Sequence, residues 1–391
     1  MRDVIIVGAG PGGSATAKHL AEKGYNVALY EKRQEIGAPK RCAEGFSLTG
    51  IKEFNLNPPE NCIRQKINGS RVYTPNGNFV EVDYEVDGGC ILERKVFDKW
   101  LAEEAVRKGA KVQAKTTITG LLKENGKVVG VKGEFVGEKF EERCKVLIAS
   151  DGIESKISRM AGLNTTCSPK LVDSGVQFEM AGIDIEDPKK IYLYLGNKIA
   201  PRGYCWVFPK GKDVANVGIG ILGKHDIPAI KYLERFVESR EELKKGSILE
   251  VNSGGIPVGG LLQKMCLDNF LVVGDAAHQV NPIHGGGIYE AQFAGRIAAE
   301  VVDEALKKAD TSEKQLDKYN KEWWEKRGNY LREVELLREV FEKLSDEDFN
   351  FLSKNLKGEN LVDFCGGNNL MILGKLLMKR PHLIKFAKAL F

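Results

Sequence analysis

The sequence predicts an α/β protein, α+β overall, in which a parallel-sheet domain is interrupted by an antiparallel sheet and followed by a helical region. Three observations carry this. A strand, Gly-rich turn, helix and second strand open the chain; short strands with no helices between them occupy the middle; and a buried strand, Gly-rich loop and long helix follow from residue 270. The expected division is 1–170 with 265–308 as the discontinuous parallel-sheet domain, 171–264 as the antiparallel domain and 309–391 as the helical region. An irregular, polar insertion is expected near 46–90.

The opening "DVIIVGAGPGGSATAKHLAEKGYNVALYEKR" reads as a Rossmann-like βαβ unit with G-x-G-x-x-G at Gly8, Gly10 and Gly13. Those glycines permit a tight turn and close backbone approach to a pyrophosphate at the helix N-terminus. Glu31 closes the second strand, where an acid meets ribose hydroxyls. Strand, helix and terminal acid together predict a dinucleotide site.

Further on, a helix is expected from about Lys95, with Val96, Phe97, Trp100, Leu101 and Val106 facing the core. "TTITGLLKENGKVVGVKG" predicts a hairpin turning at Asn125-Gly126, and "KVLIASDG" a buried strand. "KIYLYLG", "GYCWVFPKG" and "VANVGIGIL" predict the antiparallel sheet. In "NFLVVGDAAHQVNPIHGGGIYEAQ" a buried strand ends on Asp275, the carboxyl end at which open α/β sheets bind ligands.

Composition narrows the function. With 58 basic and 54 acidic residues and a net charge of +4, no nucleic-acid partner is indicated. Eight cysteines without a C-x-x-C pair argue against zinc or iron–sulfur chemistry, so no metal is expected and most thiols should be inert core groups. The N-terminus reaches glycine too early for a signal peptide, and no apolar run has the length of a membrane span. A cytoplasmic protein is expected.

Three separated motifs, Gly8 to Gly13 with Glu31, "ASDGIESKISR" and "VGDAAHQVNPIHGGGI", together resemble the flavin-dependent hydroxylase-like superfamily. "KRCAEG", "LERKVFD" and "GYCWVFPKG" sharpen the resemblance to its geranylgeranyl reductase branch, above all the archaeal enzymes that saturate digeranylgeranylglycerophospholipids. The resemblance covers nearly the whole chain and is weakest after residue 310. It implies FAD as cofactor, held by Gly8, Gly10, Gly12, Gly13, Glu31, Arg41, Cys42, Ala43, Gly45, Arg94, Asp275, Gly285, Gly286, Gly287 and Ile288. It also implies an isoprenoid ether lipid as substrate and an external electron donor, leaving reduced ferredoxin, a deazaflavin or NADPH open.

Tyr204, Trp206 and Phe208 alternate on one strand and so share a face, which suits an apolar wall for a prenyl tail or a core. An isolated alkene has no carbonyl to accept charge, so protonation must lead or accompany hydride transfer in a dry pocket. Cys42, a thiol mostly protonated at neutral pH, is the expected proton source, with Glu44 as the rival acid; the alternative is that Cys42 only packs there. A flavin-dependent aromatic hydroxylase or halogenase is a second reading, weakened because Tyr204 and Phe208 stand where halogenases carry Trp and Ile. A non-enzymatic prenyl-lipid escort would be marked by a degraded dinucleotide site, and this one is intact. From Phe364 onward, five basic side chains and no acid, in apolar helices broken at Pro381, predict peripheral membrane contact.

Overall fold

The computed structural model describes residues 1–84, 88–223, 226–365 and 370–384. The first sheet runs in the order Cys266–Leu267, Phe270–Val272, Glu138–Ala149, Arg2–Val7, Val27–Tyr30, Lys111–Gln113. It is parallel except for its first edge pair. Val4, Ile5 and Ile6 are wholly buried, as continuous β-branched runs are when helices cover both faces of a sheet. Helix Pro11–Glu22 packs between Arg94–Arg107 and Ile288–Lys307. The contact with the latter is close enough that a Cβ at Gly295 would approach the Gly12 carbonyl at 2.8 Å.

The long strand Glu138–Ala149 leaves this sheet at its start to pair with Lys127–Phe135, which pairs in turn with Thr116–Glu124. The turn falls at Asn125 and Gly126, both at positive φ, as predicted. In helix Arg94–Arg107 the residues Phe97, Trp100 and Leu101 are buried, but Val106 is 51% exposed. The helix ends one residue later, so this turn overhangs the core.

The second sheet has the order Ser247–Pro257, Val172–Ala181, Val214–Leu222, Tyr204–Pro209, Lys190–Leu195, Gly69–Tyr73, Phe79–Asp83. It is antiparallel apart from the pairing of 190–195 with 69–73. Its last two strands correct the expectation of an irregular 46–90 segment. That segment also supplies two strands of a small sheet, Ile63–Ile67 and Gly89–Leu92, the latter paired with Gly45–Ser47. Helix Ala229–Glu238, not anticipated, buries Leu233 and Phe236 on one face of the second sheet against Cys205, Val207, Val217 and Ile219. Strand alternation therefore turns Tyr204, Trp206 and Phe208 to the opposite face.

The C-terminal region is helical, as expected: Glu313–Trp323, Asn329–Phe341, Asp346–Asn355, Gly358–Cys365 and Leu370–Leu377. Leu337, Val340, Phe349, Leu352, Leu373 and Leu377 form its own core. Met371, Ile372 and Met378 remain exposed near Lys375 and Lys379. Lys385 and Lys388, part of the predicted basic segment, lie outside the described residues. Among the described residues no helix is long and apolar enough to cross a membrane, and no cluster of ligands could hold a metal.

Candidate active site

The opening turn is built as the glycine spacing requires. Gly8 has φ +104°, and a Cβ there or at Gly13 would run into the backbone at Ser150 or Gly8. A Cβ at Gly10 would meet no heavy atom within 4 Å, so the backbone at the N-terminus of helix Pro11–Glu22 stands open to a ligand. Glu31 reaches back across this turn. Its carboxylate accepts from the Ala9 and Arg33 amides, both at 3.0 Å, which fixes the acid at the end of the second strand.

Asp275 follows strand Phe270–Val272 in a short 3-10 turn. A Cβ at Gly287 would lie 2.9 Å from its Oδ1, so only glycine admits the carboxylate beside the N-terminus of helix Ile288–Lys307. Burial pushes the Asp275 carboxyl up, while the nearby Arg94 guanidinium pulls it down. Arg94 is gripped by Asp98 through two bonds of 2.7 and 2.6 Å, which orients the guanidinium toward Asp275 and Cys42. This is no loose surface charge.

Cys42 is half-buried, packed against an apolar cluster that includes Phe46, Leu92, Phe97 and Ile288. Burial pushes its thiol up, against the pull of Arg94 and the Glu44 amide. That amide donates to Sγ at 3.1 Å, and Glu44 itself sits at φ +75°. The Cys42 carbonyl accepts from Gln177 (3.1 Å) and the Ala43 carbonyl from Asn216 (3.2 Å), so the loop is stitched to the second sheet.

On that sheet, residues sharing the face toward the loop form cross-strand rows. Asn252, Gln177, Gly218 and Trp206 make one, and Glu250, Glu179, Asn216 and Phe208 the next. Trp206 donates to Gln177 (3.0 Å), Phe208 lies 3.1 Å from the Cβ position of Gly45, and the Tyr204 hydroxyl donates to the His284 carbonyl at 2.9 Å. The three rings follow one another at centroid spacings of 5.8 and 6.4 Å. The predicted aromatic face thus bridges the 40–45 loop and the Gly285–Gly287 loop.

The sequence reading missed a buried ionic cluster beneath this loop. Glu44, wholly buried, accepts from the Arg94 amide (2.7 Å), Asn216 (2.7 Å), Lys210 (2.9 Å) and Lys40 (3.3 Å). Lys210 also reaches Glu93 (2.9 Å) and Glu179 (3.0 Å), and Lys40 binds Glu179. Burial alone would raise the Glu44 carboxyl, but the two lysines outweigh it and hold it below the usual range. Glu44 is therefore a carboxylate at neutral pH and has no proton to give, which corrects its reading as the rival acid. Asn216 was the available signal, a polar residue in the otherwise apolar run "VANVGIGIL". Arg41 lies over Gly254 and pairs with Glu154 at 2.7 Å, with its side chain 42% exposed. His278 is structural, its ring bonded to the Gly260 (2.7 Å) and Thr165 (3.2 Å) carbonyls.

Residues 172–256 match the family model of the geranylgeranyl reductase catalytic domain, and 1–212 that of an FAD binding domain. A digeranylgeranylglycerophospholipid reductase of Methanocella arvoryzae is 43% identical, over 98% of this chain and 97% of its own. The chain belongs to the geranylgeranyl reductase family. A second digeranylgeranylglycerophospholipid reductase, from Methanocaldococcus jannaschii, is 41% identical over 99% of this chain and 98% of its own. A crystal structure of a geranylgeranyl bacteriochlorophyll reductase-like protein from Thermoplasma acidophilum superposes with a TM-score of 0.91 at 35% identity, covering 100% and 99% of the two chains. A flavin-dependent brominase shares only the fold, at 20% identity over 94% of each chain and a TM-score of 0.71.

As in its family, the cofactor of this reductase is FAD, and the residues present suit it. The open backbone at Gly10 and the carboxylate of Glu31 fit a pyrophosphate and a ribose. Asp275, set beside the N-terminus of helix Ile288–Lys307, fits the far end of the same dinucleotide.

Proposed function

We propose that this geranylgeranyl reductase reduces isolated C=C bonds in the geranylgeranyl chains of an archaeal ether phospholipid, with Cys42 supplying the proton. The observation that carries this reading is the setting of Cys42. It is a thiol whose burial favours the protonated form, packed against the apolar cluster that includes Ile288 and near Arg94, with its own carbonyl bonded to Gln177, the partner of Trp206 on the second sheet. Reduced FAD, when bound, supplies the hydride. Tyr204, Trp206 and Phe208 exclude water and wall the prenyl chain, where positive charge develops on the more substituted carbon. Cys42 delivers its proton to the other carbon; the Glu44 amide and the Arg94 guanidinium then steady the thiolate.

Gly8, Gly10, Gly12, Gly13, Glu31, Arg94, Asp275 and the 285–288 turn hold the cofactor in this reading, and Ala43 and Gly45 border it. The exposed Met371, Ile372 and Met378 beside Lys375 and Lys379 favour peripheral contact with an anionic membrane, from which the lipid is drawn. An external donor, whether ferredoxin, deazaflavin or NADPH, recharges the flavin. The test is mass spectrometry of a digeranylgeranyl phospholipid incubated with chemically reduced holoprotein. A gain of two mass units per double bond is expected; an oxygen-dependent gain of sixteen on an aromatic acid would mark a hydroxylase instead.

A further inference from the structure

The Lys40–Glu44–Lys210–Glu179 cluster has no place in hydride or proton transfer, yet it is the most deeply buried group of charges around the site. Lys40, Glu44 and Lys210 have wholly buried side chains, and Glu179 is 19% exposed. Its members come from both sides of the domain junction. Lys40 and Glu44 belong to the Cys42 loop, Glu93 precedes helix Arg94–Arg107, and Lys210, Glu179 and Asn216 belong to the second sheet. The residue they grip, Glu44, has a left-handed backbone that an L side chain rarely adopts without support. The amide of this anchored residue donates to the Cys42 sulfur at 3.1 Å.

We infer that this cluster is a positioning device for Cys42: Lys210 and Lys40 anchor the Glu44 carboxylate and with it the left-handed residue 44, so that its amide stays on Sγ and the thiol stays packed in its apolar niche. The inference rests on Cys42 being the proton source, but its test does not. Lys210 and Lys40 are positioning residues that never meet the substrate. They act through the placement of residue 44.

The experiment is alkylation of Cys42 by iodoacetamide in the FAD-loaded protein, followed on the Cys42 peptide by mass spectrometry across pH 6 to 10, beside kcat and KM. Lys210→Met should raise the plateau alkylation rate at least tenfold and lower kcat with little change in KM. Glu179→Gln, at the less deeply buried side of the cluster, should do the same in milder form, about threefold, and serves if Lys210→Met folds poorly. The double variant Lys210→Met with Glu44→Gly removes one charge of each sign and gives the position a residue at ease with positive φ. It should restore most of the protection and part of kcat. Wild-type alkylation in both Lys210→Met and Glu179→Gln, or a double variant as reactive as Lys210→Met, would overturn the inference. Full turnover in Cys42→Ala would instead remove the proton-source reading while leaving the alkylation result to judge the positioning.

Discussion

Replacing Glu44 with Gln changes one atom in a wholly buried site, so its cost isolates the charge. The carboxylate satisfies four donors, two of them lysine ammonium groups, at 2.7 to 3.3 Å. An amide leaves one acceptor oxygen and turns an NH2 toward those donors. Breaking a buried ion pair from one side costs about 3–5 kcal/mol; because Glu179 still serves both lysines, the lower end, about 3 kcal/mol, applies. An unfolding entropy on the order of 0.8 kcal/mol per kelvin for a chain of 391 residues turns this into a fall in Tm of about 4 °C. Differential scanning calorimetry of the FAD-loaded protein measures it. Because folding lowers the Glu44 pKa, its stabilisation is complete above the unfolded value near ~4.3 and is lost as pH falls through the folded value. The gap between wild type and variant should be constant from pH 6 to 8 and should close below about pH 4. A Tm within 1 °C of wild type at pH 7, or a gap that widens in acid, would refute the charge argument.

Glu31→Gln should weaken FAD binding by about 1.5–3 kcal/mol, the value of a charged hydrogen bond, roughly 10- to 150-fold in Kd by fluorescence titration. Burial on the second sheet pushes the Asp173 carboxyl up to about 7. Since that acid is costlier folded than unfolded once deprotonated, Asp173→Asn should stabilise the protein at pH 8, on the order of 1–3 kcal/mol, and should have almost no effect at pH 4. Thermal melts at the two pH values decide it. Lys375→Glu with Lys379→Glu should cut sedimentation with anionic vesicles at least tenfold, from about 1 kcal/mol per cation near the surface, while partition to neutral vesicles stays the same.

The cofactor domain was legible because its signals are local. The β-branched run 4–7, the glycine turn and Glu31 lie within one continuous stretch, and each is dictated by backbone geometry that few residues satisfy. The alternation of Tyr204, Trp206 and Phe208 was likewise enough to put them on one face. Strands Gly69–Tyr73 and Phe79–Asp83 were not legible: they are short, carry Arg71, Glu81 and Asp83, and the hairpin they form joins the larger sheet only through Lys190–Leu195, more than a hundred residues later. The ionic cluster was hidden for a related reason. Lys40, Glu44, Glu179 and Lys210 read singly as solvated charges, and only the meeting of the 40–45 loop with the second sheet removes them from water. Val106 shows the converse, an apolar residue at core spacing on a turn that overhangs the core.

The most direct test of Cys42 as the proton source is a single turnover. FAD-loaded wild type and Cys42→Ser are reduced anaerobically and mixed with digeranylgeranyl phospholipid, and the return of oxidised-flavin absorbance is followed in a stopped-flow instrument. A general acid contributes about 10²–10⁴ in rate. The reoxidation rate should therefore fall at least a hundredfold in Cys42→Ser, with flavin occupancy and lipid binding unchanged. Reoxidation at the wild-type rate, with saturated lipid as product, would contradict the account.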